Sequence, residues 1–265
     1  MVEQSRPITK FFQPVLIIAT YLFLYLPILV IALFSFNESR VSAQWTGFSL
    51  RWYAKLFHSP EILDALFVSL VVALFSMILS LILGTGFVVA SRVRKSLLSY
   101  VLFYPNIVLP DIALAIGVLS MFAWMRIPLG YGSLIAGHTL IGLGFVIPII
   151  RARFVELDPF LTEASADLGA TTWQTFYKVL GPLLRPSLVA CALIVFTLSL
   201  DDFLIAFFCA SPKVQTLSIY IYSQLRETVD PSINAISVLL LALSSIAALI
   251  LCGLKVVDQV IHHER

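Results

Sequence analysis

Charge is scarce in this 265-residue chain: Asp, Glu, Lys and Arg make up 12% of it, against 60% hydrophobic residues, with mean hydropathy +0.98. Soluble domains carry about twice that share of charge, so the composition excludes a soluble globule. The net charge of +2 is uninformative by itself, and no nucleic-acid partner is expected. Cysteine is equally sparse. Cys191, Cys209 and Cys252 lie far apart in or beside apolar runs, without metal-ligand spacing, and read as small core residues. No G-x-x-x-x-G-K-[ST] run occurs, so the chain holds no nucleotide in a Walker A loop. His138 has no second nucleophile or base at a useful spacing, which argues against an intramembrane enzyme. No convincing internal repeat is present, which argues against a secondary transporter using intramembrane acids as a proton relay. No catalytic residue, metal site or bound cofactor is expected of this chain.

What the chain has in quantity is apolar runs of membrane-crossing length. Six are counted: about Pro14 to Phe36, Leu63 to Ala90, Leu97 to Met125, Ser133 to Ile150, Pro186 to Ala210 and Ala235 to Leu254. The first is too long for a signal-peptide core and lacks a small-residue cleavage site, so it reads as a span. The expectation is an all-α membrane protein of six transmembrane helices. It has a polar N-terminal segment (1–12), one permeating domain (13–255) and a short tail (256–265).

Lys and Arg set the orientation. Arg6, Lys10, Arg92, Arg94, Lys95, Arg151, Arg153, Lys178, Arg185, Lys255 and Arg265 fall on one side. Arg40, Arg51, Lys55, Arg126, Lys213 and Arg226 fall on the other. The richer set marks the cytoplasmic side and places both termini there, with the loop 158–182. On the opposite side, Trp45, Phe48, Trp52 and Tyr53 suit an interfacial belt. The segment Lys213 to Asn234 reads as an outer cap or a short amphipathic helix.

The loop from Asp158 to Pro182 is the longest charged and patterned run between two spans. Asp158-Pro159 starts a helix, Phe160, Leu161, Ala164 and Leu168 recur at helical spacing, and Gly169 stops it. Thr171 or Thr172 caps a second helix carrying Trp173, Phe176, Tyr177 and Leu180, which Gly181-Pro182 should break. The bland alternative is a hairpin resting at the headgroups. Glu163-Ala164-Ser165, then Gly169, then Val179 and Pro182 resemble the EAA loop of ATP-binding-cassette (ABC) importer permeases, with Ser165 and Gly181 replacing an alanine and a leucine. This resemblance implies a type I ABC importer permease fold. It also implies that the loop docks on a separate ATPase subunit, which would carry ATP and Mg.

Ionisable residues inside spans are functional suspects by default. Asp111 lies in the third span, His138 in the fourth, and Asp201 and Asp202 in the fifth. Counted from Leu97 and Pro186 at ~1.5 Å per residue, Asp111 and Asp201 sit at a similar depth, roughly 21–22 Å from the inner surface. Acids at one level without a basic partner in their spans suit a cationic solute, with Tyr104, Trp124 and Tyr220 as candidate aromatic faces. The structural alternatives are plain. Asp111 follows Pro110 and can cap a restarting helix. Asp201 and Asp202, ~100° apart on one helix, cannot both face one pathway, and either can bond back to Thr197 or Ser199 or pair with a neighbouring subunit. His138 reads as a packed, satisfied histidine.

Further segments narrow the resemblance. SFNESR with WTGFSLRWYAKLF, PNIVLPDIALAI, LSLDDFLIAFFCASP and the SINAIS entry to the last span are similar to permease subunits of spermidine/putrescine importers. The likeness covers nearly the whole chain. It implies a bacterial inner-membrane complex of two different permease subunits, an ATPase dimer and an extracytoplasmic binding protein, with a polyamine as substrate. Importers of another small solute (thiosulfate, sulfate, iron, a small cation) are the alternative, and an anion would call for basic residues in the path.

Overall fold

The computed structural model describes residues 7–39, 44–94, 109–227 and 232–263. Among these, structure is helical throughout, apart from isolated bridges at Asn37–Phe48 and Ser211–Val214. In order the helices are α1 (Pro7–Phe34), α2 (Arg51–His58), α3 (Pro60–Arg94), α4 (Asp111–Trp124), α5 (Tyr131–Glu156), α6 (Leu161–Asp167), α7 (Thr172–Thr175), α8 (Gly181–Asp201), α9 (Leu204–Cys209), α10 (Leu217–Glu227) and α11 (Ser232–His263). Among the described residues, five segments are long and apolar enough to cross a membrane: Pro14–Phe34, Pro60–Ser91, Tyr131–Glu156, Thr172–Asp201 and Ser232–Ile250. α4 has 14 residues, about 21 Å at 1.5 Å per residue, and falls short of a ~30 Å hydrocarbon core. The first half of the third expected span, residues 97–108 with Tyr104, lies outside the described residues, as do residues 1–6 and 264–265.

The chain divides into two compact units. One comprises Met1–Pro60 and Ile221–Leu241. Its α1 is apolar on every side, and none of its Pro14–Phe34 stretch is buried, as for a lipid-facing span. The loop after α1 is organised by Asn37, which is almost fully buried. Its Nδ2 donates to Gln44 O at 2.6 Å, its Oδ1 accepts from Thr46 N at 3.0 Å, and its carbonyl accepts the Trp52 indole N–H at 2.7 Å. The expected aromatic belt is therefore only partly at the surface. Trp45 and Phe48 are exposed, whereas Trp52 is buried with its N–H committed inside the loop.

The other unit comprises Glu61–Tyr220 and Ala242–Arg265. Here α3, α5 and α8 pack closely because small residues sit at the crossings. A Cβ at Gly142 would collide with the Ser80 side chain and lie 2.9 Å from Val195 Cγ1; one at Gly84 would lie 2.6 Å from Val146 Cγ1. Two serines one turn apart on α3 bond across to α5: Ser76 Oγ donates to Ile135 O at 3.2 Å and Ser80 Oγ to Thr139 O at 3.1 Å. Gly142→Leu is expected to overpack this crossing, costing about 1–3 kcal/mol and lowering the yield of assembled permease. Gly86, with nothing within 4 Å of an added Cβ, should accept alanine without loss in the same expression and thermal-stability assay.

The fifth expected span is not one helix. α8 ends at Asp201, Asp202 is extended (φ −65°, ψ 127°), and α9 begins at Leu204. Aspartate is a poor helix former because its side chain competes for nearby backbone amides. Asp202 does so, its Oδ2 accepting from Ala206 N at 3.0 Å. A break inside a membrane must also satisfy the carbonyls it frees. Ser218 Oγ donates to Leu200 O at 3.2 Å, and Ser133 Oγ donates to Cys209 O at 2.7 Å where α9 ends.

Candidate functional site

The broken helix opens onto a cavity of about 360 Å³, the size range of a small-ligand site. Asp111 from the start of α4, His138 from α5, and Asp201 and Asp202 from the break all line it, together with Phe145 and Phe203. No Lys or Arg lies among the described residues that line it. Helical spacing delivers the walls. His138, Ile141, Gly142 and Phe145 recur at i, i+3, i+4 and i+7 along α5, and Val195, Leu198 and Ser199 recur similarly on α8.

Each acid is held differently. Asp111 is the first residue of α4, directly after its N-cap Pro110. Asp201 Oδ1 accepts from Ser244 Oγ of α11 at 3.3 Å. Asp202 accepts from the first turn of α9 and faces His138, its Oδ2 3.5 Å from Nε2. That distance exceeds the ~2.7–2.9 Å of a charge-assisted hydrogen bond. The two adjacent acids line one cavity after all. The ~100° separation holds only on an unbroken helix, and the chain leaves helical geometry at the second of them. Neither bonds back to Thr197 or Ser199, whose hydroxyls are buried without a hydrogen-bond partner. His138 is not fully satisfied either. Its Nδ1 is bonded to Leu134 O at 2.7 Å, and its Nε2 has no hydrogen-bond partner.

The aromatic candidates are not brought to the cavity. Trp124 ends α4, thirteen residues beyond Asp111 and about 20 Å along the axis, and is largely exposed. Tyr220 lies in the first turn of α10 and is not part of the lining. Phe145 and Phe203 take their place. The signals for them were the two-turn spacing from His138 to Phe145 and the position of Phe203 directly after the acidic pair.

The second patterned region is the loop between α5 and α8. Asp158 Oδ1 accepts from Phe160 N at 2.9 Å and starts the α6 turn. Gly169 ends it at φ +80°, a conformation that favours glycine. Thr171 and Gln174 then form a capping box. Ser165 is buried between the two helices, where its Oγ meets Thr175 Oγ1 at 2.8 Å and donates to Thr162 O at 2.9 Å. Ser165→Ala, which would strand a buried Thr175 hydroxyl, is expected to cost about 1 kcal/mol. Adding Thr175→Val should recover most of it, measurable as a double-mutant cycle in thermal unfolding.

Gly181-Pro182 does not break the second helix. Residues Phe176–Leu180 form a π turn in which Gly181 N bonds to Phe176 O, and the helix runs on into α8. Pro182 sits in the first turn of α8, where a missing N–H is tolerated. A Cβ at position 181 would lie 3.1 Å from Phe176 O, which accounts for glycine at this wide turn. Glu163, Phe160, Leu168, Trp173 and Tyr177 point outward from the knob, with Leu168 89% exposed.

Long apolar helices, one of them broken at a cavity that holds three carboxylates, with a rigid apolar-faced knob between two of them, define the class: a multi-span membrane permease. The chain belongs to the family of binding-protein-dependent transport system inner membrane components, whose pattern matches residues 76–261. It is a multi-pass protein of the bacterial inner membrane. It is 36% identical, over 85% of its length and 87% of the relative's, to the spermidine/putrescine transport system permease protein PotC of Escherichia coli (strain K12). It is 31% identical, over 89% of its length and 88% of the relative's, to the putrescine transport system permease protein PotI of the same organism. Its fold is similar to a solved chain of a bacterial ABC transporter that imports the acidic polysaccharide alginate, with TM-score 0.70, 17% identity and 94% of each chain covered.

Proposed function

We propose that this chain is a membrane-spanning subunit of an ATP-driven importer of polyamines such as spermidine and putrescine. The observation that carries the reading is the cavity walled by Asp111, Asp201 and Asp202 with Phe145 and Phe203 beside them. Carboxylates gathered in one cavity attract ammonium groups, and aromatic faces add cation–π attraction. An anionic solute would meet three like charges there. The relatives named for spermidine and putrescine transport point the same way.

In this reading six helices cross the membrane with both termini cytoplasmic. Glu163, Ala164, Ser165, Gly169, Val179 and Pro182 belong to the loop that couples to an ATPase dimer. That dimer holds ATP and Mg. A second, different permease chain completes the path and an extracytoplasmic binding protein delivers the polyamine. Closure of the ATPase dimer draws the knobs together and rocks the spans, exposing the cavity outward; hydrolysis resets it.

The test is ATP-dependent uptake by proteoliposomes holding the whole complex, offered labelled putrescine, spermidine, sulfate and thiosulfate separately. Accumulation of the two amines and neither anion is expected. Accumulation of an anion, with the amines left outside, would overturn the substrate class.

A further inference from the structure

We infer that His138 is a specificity-determining ligand for the terminal ammonium of the substrate. Its Nε2 accepts one N–H while Asp202 Oδ2 accepts another, so the site selects a head group bearing at least two N–H donors. The inference rests on the polyamine reading above and adds a residue that charge alone does not point to.

Nδ1 lies 2.7 Å from Leu134 O, and a carbonyl oxygen only accepts, so Nδ1 carries the proton of the neutral ring. Nε2 is then a lone-pair acceptor. It belongs to a side chain that lines the cavity, it is buried on a residue only 2% exposed, and it has no hydrogen-bond partner among the described residues. The nearest charged atom to it is another acceptor, Asp202 Oδ2 at 3.5 Å. Of these two facing acceptors Nε2 has no donor and Asp202 Oδ2 has only the Ala206 amide, so a further donor brought to both relieves them. A nitrogen about 2.8 Å from each closes a triangle over the 3.5 Å base, within ordinary hydrogen-bond lengths.

Both acceptors are held in place. The Nδ1 bond fixes the ring, and the α3 serines bond to the carbonyls of Ile135 and Thr139 on either side of it in sequence. The Ala206 amide fixes Asp202. A primary ammonium offers three N–H donors from one atom and can serve both acceptors. A dimethylammonium offers one, and a trimethylammonium none. Carboxylates alone would attract all three by charge, so the neutral acceptor is what reads the number of donors.

The test compares putrescine with its N,N,N′,N′-tetramethyl analogue, which has the same charge but a single N–H at each end. Equilibrium dialysis against the purified complex of permease pair and ATPase, without the binding protein, reads this site alone. The native complex is expected to bind putrescine at least about tenfold more tightly than the analogue. His138→Leu should weaken putrescine about tenfold, leave the analogue's affinity nearly unchanged, and so erase the preference. His138→Gln, whose side-chain oxygen accepts, should restore part of it. The preference is a ratio of affinities and does not depend on how much variant complex assembles. Equal weakening of both ligands in His138→Leu, an unchanged preference in both variants, or no preference in the native complex would overturn the role of His138. Those results leave the polyamine reading standing as long as the complete native complex accumulates putrescine. Failure of that uptake would end both.

Discussion

Leu168→Asp is expected to abolish ATP-driven uptake, lowering it by about a hundredfold or more, while the permease still inserts and keeps its cavity. Leu168 is 89% exposed on the knob, alongside the exposed rings of Phe160, Trp173 and Tyr177. Apolar side chains gathered on a short rigid loop carry little stability for the chain itself. They gain about 25 cal/mol per Å² when a partner covers them. A carboxylate placed at the centre of such a contact loses that gain and adds an unpaired buried charge, as at an interface hot spot. The knob's own framework does not depend on Leu168: the Ser165–Thr175 bond, the Thr171–Gln174 box and the left-handed Gly169 lie elsewhere. Co-purification with the ATPase subunit should therefore fail for Leu168→Asp, with thermal stability of the permease unchanged. Glu163→Ala should weaken coupling less, since an exposed charge at a rim contributes mainly to rate and orientation. Normal uptake and co-purification in Leu168→Asp would remove the knob from the coupling interface.

The second large effect is expected at Asp202. Asp202→Asn retains an oxygen that can accept from Ala206 N, so the start of α9 survives and only the charge is removed. Removing one partner of a desolvated charge pair costs roughly 2–5 kcal/mol, which corresponds to at least about thirtyfold in uptake at limiting polyamine. Asp201→Asn should cost less, about fivefold at most, because Asp201 is exposed and bonded to Ser244. The order matters more than the values: Asp202 before Asp201, with both variants assembling like the native chain. Native transport by Asp202→Asn would make that carboxylate a helix cap and nothing more.

The apolar runs were legible because span length is a property of composition. Their helices extend beyond the sequence bounds by about one turn in Pro60–Arg94, for the run Leu63 to Ala90, and by about two and a half turns at the end of Ser232–His263, for Ala235 to Leu254. The exception was the fifth. Nothing in its hydropathy marks a break, since Leu204 to Ala210 are as apolar as what precedes them. The break is a local contest between helix hydrogen bonds and the Asp202 side chain, won because Ser218 and Ser133 satisfy the freed carbonyls from distant parts of the sequence. Depth counting did place Asp111 and Asp201 together, and the structure brings them to one cavity. It could not see Phe145 or Phe203, because a phenylalanine in a span is ordinary until a polar neighbour gives its face a cavity to line. Gly181 was misread for a related reason. A Gly-Pro pair usually ends a helix, but here the π turn moves the missing hydrogen bond to a place where none was needed.

The central claim is that the carboxylate cavity holds the transported cation. It is tested most directly by a density map of the assembled complex prepared with putrescine and arrested before hydrolysis. The account predicts an ammonium within about 3 Å of Asp202, with Asp111 or Asp201 facing the other end of the ligand. A putrescine bound elsewhere in the path, with all three carboxylates more than about 6 Å from either ammonium, would contradict it.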